Sequence, residues 1–309
     1  MKKVLIATTA LVMTAGVAAA EVSLSGNGRM GVVYDGADWE FSSRARVVFT
    51  LSGTTDGGLE FGGSFRADQA GDGATGDWGA DTGNAGSVYI SGAFGKIAMG
   101  DVASAPEALF GDLASVGYMG DSQGTANGGT NNIPYLTLDD GTQSALLYTY
   151  SAGAFSVAAS MSDGIGEDLG SGGDDQVYAV AGAYTFGNYT VGLGYEVIDW
   201  DAAGVDNTTQ LELAAVATFG NTDVKAYYAD QQDGIIDAAF GISAATTFGA
   251  TTVAGYVQQI DAIGGGDVTW YGIGVDYDLG GGAVLSGAIQ DDDVTGSDPT
   301  ANFGVRFSF

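Results

Sequence analysis

From residue 21 onward, apolar side chains recur at every second position and seldom gather into runs. In 21–34, Val22, Leu24, Met30, Val32 and Tyr34 share one parity, while Glu21, Ser23, Ser25, Asn27 and Arg29 share the other. The next segment places Trp39, Phe41, Ala45, Val47, Phe49 and Leu51 on one face and Glu40, Ser42, Arg44, Arg46, Thr50 and Ser52 on the other. A third sets Leu59, Phe61 and Phe65 against Glu60, Ser64, Arg66 and Asp68. A period of two is the pattern of a β-strand with one apolar and one polar face. Each such strand needs an apolar environment on one side only, which restricts the chain to an antiparallel sheet.

The pattern repeats along the chain. After short segments at Gly86–Ser91 and Lys96–Asp101 it resumes at Ser144 and continues to Phe309, predicting about sixteen strands. Tight turns follow an aromatic at Phe186-Gly187-Asn188, Phe219-Gly220-Asn221 and Phe248-Gly249-Ala250. Gly and Asn supply the positive φ that two-residue hairpins need. Between these turns lie longer acidic connections, expected at Asp163–Asp175, Asp199–Thr208, Asp230–Gly234, Asp261–Asp267 and Asp291–Pro299. Short turns at one end and long loops at the other describe a transmembrane barrel with the short turns in the periplasm. A soluble barrel or double sandwich would carry its apolar face inward, and soluble barrels are smaller. Sixteen strands leave an aqueous lumen. The last strand, with Phe303, Val305, Phe307 and Phe309 on one face, is placed to pair with the first and close the sheet.

The start of the chain supports export. Residues 1–20 read as a secretory signal, with Lys2 and Lys3, an apolar core from Val4 to Val12, and Ala18-Ala19-Ala20 before Glu21. The mature barrel is then 21–309. No later run reaches the ~20 apolar residues of a spanning helix. The composition is poor in charge for a soluble domain, 15% against about 25%. Without Lys2 and Lys3, seven basic residues face 38 acidic ones, which argues against a nucleic-acid partner. There is no His and no Cys, so a Ser-His triad, a Cys nucleophile and the usual zinc sites cannot be built. Carboxylate pairs could serve hydrolysis, but with 38 acids they occur by chance.

One stretch departs from the pattern. From Val102 to Gln143 the chain runs about forty residues without a clear strand, long for an ordinary connection. It holds a helix candidate, Pro106 to Leu113, with Pro near the start and Glu107 in the first turn. It carries Glu107, Asp112, Asp121, Asp139 and Asp140. We expect it to fold into the barrel and narrow it, the plainer alternative being an exposed surface loop. Four of the seven mature basic residues, Arg29, Arg44, Arg46 and Arg66, lie on the polar parity of the first three strands. A hairpin tip near Gly36-Ala37 sets Arg29 opposite Arg44, and a second turn centred near Thr55-Asp56 brings Arg66 level with Arg44 and Arg46. Arg306 shares the parity and extends the patch; Lys225 is remote from it and reads as structural. Arginines on the wall would face Glu107, Asp112 and Asp121 across a water path, an arrangement by which pores select ions. Acid clusters at Asp163, Glu167, Asp168, Asp174 and Asp175, or at Asp291-Asp292-Asp293, could hold Ca²⁺, but no segment fits an EF-hand and solvated loops are the plainer reading of each.

Several long segments carry a family resemblance. The mature start, Glu21-Val-Ser-Leu-Ser-Gly-Asn-Gly-Arg-Met-Gly-Val, resembles the general-diffusion porins of photosynthetic alpha-proteobacteria, the Rhodobacter type. So do Phe41-Ser-Ser-Arg-Ala-Arg46, Ser91-Gly-Ala-Phe-Gly-Lys96, Ala108-Leu-Phe-Gly-Asp-Leu113 and Leu147-Tyr-Thr-Tyr-Ser-Ala-Gly-Ala-Phe-Ser-Val157. The resemblance spans the mature chain. It implies a sixteen-stranded homotrimeric barrel in the outer membrane, among lipid and lipopolysaccharide, with 102–143 as the constriction loop. By matching position, Arg29, Arg44, Arg46 and Arg66 form the basic side of the constriction and Glu107 and Asp112 part of its acidic side. It also implies bound calcium, for which Glu107, Asp112, Asp139 and Asp140 are candidates. The trimer contact falls on the small-residue outer wall around Gly92–Gly100 and the adjacent first strands. The expected function is passive diffusion of small hydrophilic solutes and ions, with weak cation preference from the acidic mouths. A substrate-specific channel is the nearest alternative, and a barrel adhesin or enzyme a more distant one.

Overall fold

A computed structural model of the protein describes residues 20–72, 80–81, 86–118, 132–136, 145–162 and 175–309. Residues 1–19 of the expected signal segment lie outside them, as do Asp121, Asp139, Asp140 and the acids from Asp163 to Asp174.

The strands are β1 (Glu21–Tyr34), β2 (Trp39–Thr54), β3 (Glu60–Asp72), β4 (Ala80–Asp81), β5 (Gly86–Gly92), β6 (Gly95–Gly100), β7 (Ala145–Ala152), β8 (Phe155–Ser162), β9 (Gln176–Phe186), β10 (Tyr189–Asp199), β11 (Thr208–Phe219), β12 (Thr222–Gln232), β13 (Ile236–Phe248), β14 (Thr251–Ala262), β15 (Gly266–Gly280), β16 (Ala283–Asp292) and β17 (Thr300–Ser308). All pairings are antiparallel between neighbours, and β1 pairs with both β2 and β17, so the sheet closes. The two-residue β4 pairs with the same strand, β3, as β5 does. The wall is therefore sixteen strands round. At the seam, Phe309 N–H donates to Gly26 O at 2.8 Å, so the chain's end joins its beginning.

The alternation sorts onto the two sides of this wall in the reverse of a soluble protein. Large apolar residues face out and are exposed, among them Leu24, Phe41, Phe65, Val88, Leu193, Leu213, Ile242, Ile273 and Phe303. Buried positions on the inner face include many polar residues, among them Ser42, Asp68, Ser160, Glu196, Gln210, Glu212, Gln258, Ser286 and Asn302. So large an exposed apolar surface requires an apolar solvent, and a closed sheet leaves no unpaired edge in it. No helix among the described residues is long and apolar enough to cross a membrane; the strands do so.

Three details differ from the sequence reading. The β2–β3 turn is Thr55–Leu59, since Thr54 pairs with Glu60 and Thr55 and Leu59 are bonded to each other. Its centre is therefore Gly57, and the register pairs Arg46 with Asp68 and Val48 with Arg66. Arg66 is thus not level with Arg44 and Arg46 but diagonal to Arg46. The strands also run further than the alternation suggested. The connections expected at Asp230–Gly234 and Asp261–Asp267 shrink to three residues each, 233–235 and 263–265, because the acids at their edges are taken into the ladder, where Asp261 pairs with Asp267. Finally, helix α1 is Ala105–Phe110 and stops before Leu113. Gly111 (φ +56°) ends it, its N–H donating to Glu107 O at 2.8 Å, a glycine C-terminal stop.

Candidate functional site

The segment after β6 enters the barrel. Its six-residue helix has Pro106 near its start and packs on the inner faces of β7 to β11. A helix this short is not stable alone; the wall holds it. Ala105 and Phe110 bury against Ala158, Ala179, Ala181 and Ala214. Further on, Leu113 and Val116, with Ile133 from the returning limb, bury against Tyr227, Ala229, Ala239, Tyr256 and Ala288. The principal apolar cores of the molecule thus lie between loop and inner wall, and small inner-face residues make room for them. At Gly192 a Cβ would sit 2.1 Å from the Phe110 ring, and at Gly304 it would sit 2.8 Å from the Tyr118 ring.

Polar bonds fix the same path. Going out, Ala105 N–H donates to Ser160 Oγ at 2.9 Å, Ala114 N–H to Ser243 Oγ at 2.8 Å, and Tyr118 N–H to Asn302 Oδ1 at 2.9 Å. These partners stand on β8, β13 and β17, so 105–118 follows the wall through more than half its circumference. Coming back, Gln258 Nε2 donates to Asn132 O at 2.8 Å, Gln210 Nε2 to Pro134 O at 2.7 Å, and Leu136 N–H to Glu196 Oε2 at 2.6 Å. The two limbs are tied together as well. Ile133 N–H donates to Asp112 Oδ1 at 3.0 Å, and Tyr135 OH to Gly111 O at 3.0 Å. Burial raises the Tyr135 phenol above its ordinary pKa, and the charges of Asp112, Glu212, Glu107 and Glu196 raise it further. Burial also raises Tyr118, against smaller lowering effects from Ser42 and Arg29. Both phenols therefore stay neutral through the neutral range, and that of Tyr135 keeps its bond to Gly111 O.

The arginines occupy the other side. Arg29 pairs in register with Arg44 on β2 and with Arg306 on β17, making a row of three across adjacent strands. Two residues along β2, Arg46 grips buried Asp68 through Nε and Nη2 at 2.7–3.0 Å, and Arg66 Nε reaches the same carboxylate at 3.4 Å. Arg306 pairs with Asp276, and Arg44 Nη2 reaches Asn27 Oδ1 at 3.5 Å. The patch thus includes Arg306, as the parity indicated. α1 rests chiefly on β9, with β8 and β10 beside it, and β9 is seven strands from β1 one way round the ring and nine the other. The helix carrying Glu107 and the arginine row therefore stand on opposite walls.

Of the acidic candidates, Glu107 and Asp112 are half-buried on the loop; Asp121, Asp139 and Asp140 lie outside the described residues. Among the described residues no three acidic side chains converge as a metal site would require. Of the acids named for clusters, Asp175 is buried and accepts Asp201 N–H at 2.9 Å. The residues the sequence reading passed over are the loop's anchors Ser160, Ser243, Asn302, Gln210, Gln258 and Glu196; Lys225, read as structural, anchors the loop as well. Their polarity alone does not distinguish an anchor from any other water-facing wall residue.

A closed β-wall that is apolar outside, polar inside and partly lined by its own loop defines a transmembrane barrel channel. The chain matches the family described as Gram-negative porin over residues 7–297. It is 54% identical to a porin of Rhodobacter capsulatus, across 94% of this chain and the whole of that protein, and 28% identical to a porin of Fuscovulum blasticum over the same shares. A porin structure refined at 1.8 Å superposes with a TM-score of 0.80 at 54% identity, over 94% of this chain and all of that one. A triple mutant of Rhodopseudomonas blastica porin gives 0.71 at 25% identity, over 93% of this chain and all of that one. The chain belongs to the Gram-negative porin family. It is an outer-membrane diffusion channel and not an enzyme.

Proposed function

We propose that 102–143 is the constriction of this channel and that permeation runs between the loop and the arginine wall. The observation that carries this is the placement of α1, on β8 to β10, and the arginine row, on β17 to β2, on facing walls. On this reading Arg29, Arg44, Arg46 and Arg66 supply the basic side, extended by Arg306, and Glu107 and Asp112, with Asp121, the acidic side. Opposed charges across a narrow water path set up a transverse field. It favours polar solutes, which align in it, over apolar ones, which displace ordered water. The pore is general rather than substrate-specific and weakly prefers cations, since acidic mouths raise the local cation concentration.

The test is single-channel conductance in a planar bilayer under a salt gradient, wild type against Arg44→Ala/Arg46→Ala. Large ohmic steps, with the double variant more cation-selective, are expected. Unchanged selectivity would remove these arginines from the pore, and saturable block by one solute would favour a substrate-specific channel.

Three finer assignments belong to the same proposal. Residues 1–20 are a cleaved export signal, consistent with β1 beginning at Glu21. The functional unit is a homotrimer in contact with outer-membrane lipid and lipopolysaccharide. Its support is that β5 and β6 have seven and six residues, whereas a tilted membrane-spanning strand takes about 9–11. That low sector, around Gly92–Gly100, is better covered by a neighbouring subunit than by lipid. Calcium would find in Glu107 and Asp112 two carboxylates toward the six to eight oxygens it takes. Asp139 and Asp140 are the candidates for the others.

A further inference from the structure

The mature chain has seven cations, all in described residues. Five are the arginines of β1, β2, β3 and β17, and Lys96 lies over the Tyr89 ring, 4.4 Å from its centroid. The seventh, Lys225, is the one cation on β7 to β16. It stands on β12 next to Ser243 of β13 in register. Its Nζ donates to two loop carbonyls, Phe110 O and Asp112 O, the last residue of α1 and the second residue beyond it. Helix ends leave such carbonyls without intrahelical partners. Gly111 turns the chain here with a positive φ, and a Cβ there would lie 3.4 Å from Nζ. One register step away, Ser243 takes Ala114 N–H. Ser160, Ser243 and Asn302 each hold one backbone group of the outgoing limb. Lys225 holds two, at the point where helix becomes extended chain, and this uses the several donors of a compact ammonium.

We propose that Lys225 is the positioning residue of the constriction, a pin that fixes the carboxy end of α1 to the wall and with it the carbonyls and side chains of 110–114. This rests on the reading of 102–143 as the constriction. The charge of Lys225 acts on the backbone and not on permeating ions. Without it, the carbonyls of Phe110 and Asp112 lose their wall partner, and the exit of a six-residue helix keeps one direct bond to the wall, Ala114 N–H to Ser243, besides its ties to the returning limb at Gly111 and Asp112, and swings toward the lumen.

The test compares wild type with Lys225→Met by two readouts, amide hydrogen exchange over 108–118 and single-channel current noise. Expected are exchange at least tenfold faster in 110–114, noise several-fold higher, and a lower mean conductance. Because the chain has no cysteine, Lys225→Cys can be alkylated at one site before refolding. Bromoethylamine, which restores an ammonium, should return both readouts to within twofold of wild type, while propyl iodide, of equal length but neutral, should not. Should Lys225→Met fail to assemble, Lys225→Gln supplies the comparison. Unchanged exchange, or equal rescue by the neutral adduct, overturns the proposal. Faster exchange with unchanged current leaves Lys225 as the pin and overturns the constriction reading beneath it.

Discussion

Among the described residues, Arg46 and Asp68 form a forked ion pair on the inner wall. Three contacts of 2.7–3.0 Å join a guanidinium fork to a carboxylate whose side chain is only 7% exposed. Charge-assisted bonds of this forked kind are the strong ones. Removing Arg46 leaves a buried carboxylate served by Arg66 at 3.4 Å. Arg46→Met is therefore expected to destabilise the barrel by about 1–3 kcal/mol, the desolvation cost of a poorly satisfied buried group. Arg46→Lys should recover less than half of this, since a point charge does not reproduce the fork. Urea midpoints of the detergent-folded protein measure both, and equal midpoints for the two variants would show that charge rather than geometry holds the pair. The neighbouring row behaves differently. Arg29, Arg44 and Arg306 stand side by side, and like charges opposite one another destabilise a sheet, so this row costs the fold stability, which fits the pore role proposed for it.

At the scale of elements, the wall under the loop is shaped for it. Gly192→Ala would put a Cβ 2.1 Å from the Phe110 ring, and overpacking of this kind costs about 1–3 kcal/mol. The barrel is expected to close, because the ladder is unaffected, while α1 is pushed into the lumen. Conductance should fall by a measurable fraction with little change in strand content by circular dichroism, and an unchanged conductance would mean the ring repacks along the wall. The same site shows what the sequence made legible. Period two gave sixteen strands and the inside–outside sorting, because the two faces meet solvents of opposite polarity. Register was legible where the turn was short, as at Arg29 and Arg44, and missed where a five-residue turn moved its centre to Gly57. Pro106 and Glu107 mark where the helix begins but not where it stops, and its end falls at Gly111, whose positive φ turns the chain before Leu113. The loop's path was not read. Its signal is present, since inner positions on β8 to β16 are often Ala or Gly, as at Ala158, Ala179, Gly194, Ala239 and Gly272, where the first three strands carry Arg, Ser and Asp. Small residues on a lumen face state that something approaches, but which segment does so follows only from the closed ring.

For the whole molecule, the seven mature cations lie on six strands, while acids crowd the strand ends and the connections, as at Asp291 and Asp292 at the end of β16 and Asp293 and Asp298 beyond it. Field strength at the mouths depends on how far these charges are felt. The screening length is about 30 Å at 0.01 M salt, about 10 Å at 0.1 M and about 3 Å at 1 M. At the lowest salt, acids all round a mouth act together on an entering ion, and at the highest only charges in near contact with the path remain. Two contributions to selectivity can thus be separated in one protein. The cation preference measured as a reversal potential should be strong at 0.01 M and fall steeply by 1 M as the mouths are screened. The effect of Arg44→Ala/Arg46→Ala should survive at 1 M, because those guanidinium groups would border the narrowest water path. If wild-type selectivity were instead independent of salt, the mouths would contribute nothing, and the preference would have to originate wholly between the arginine wall and the loop.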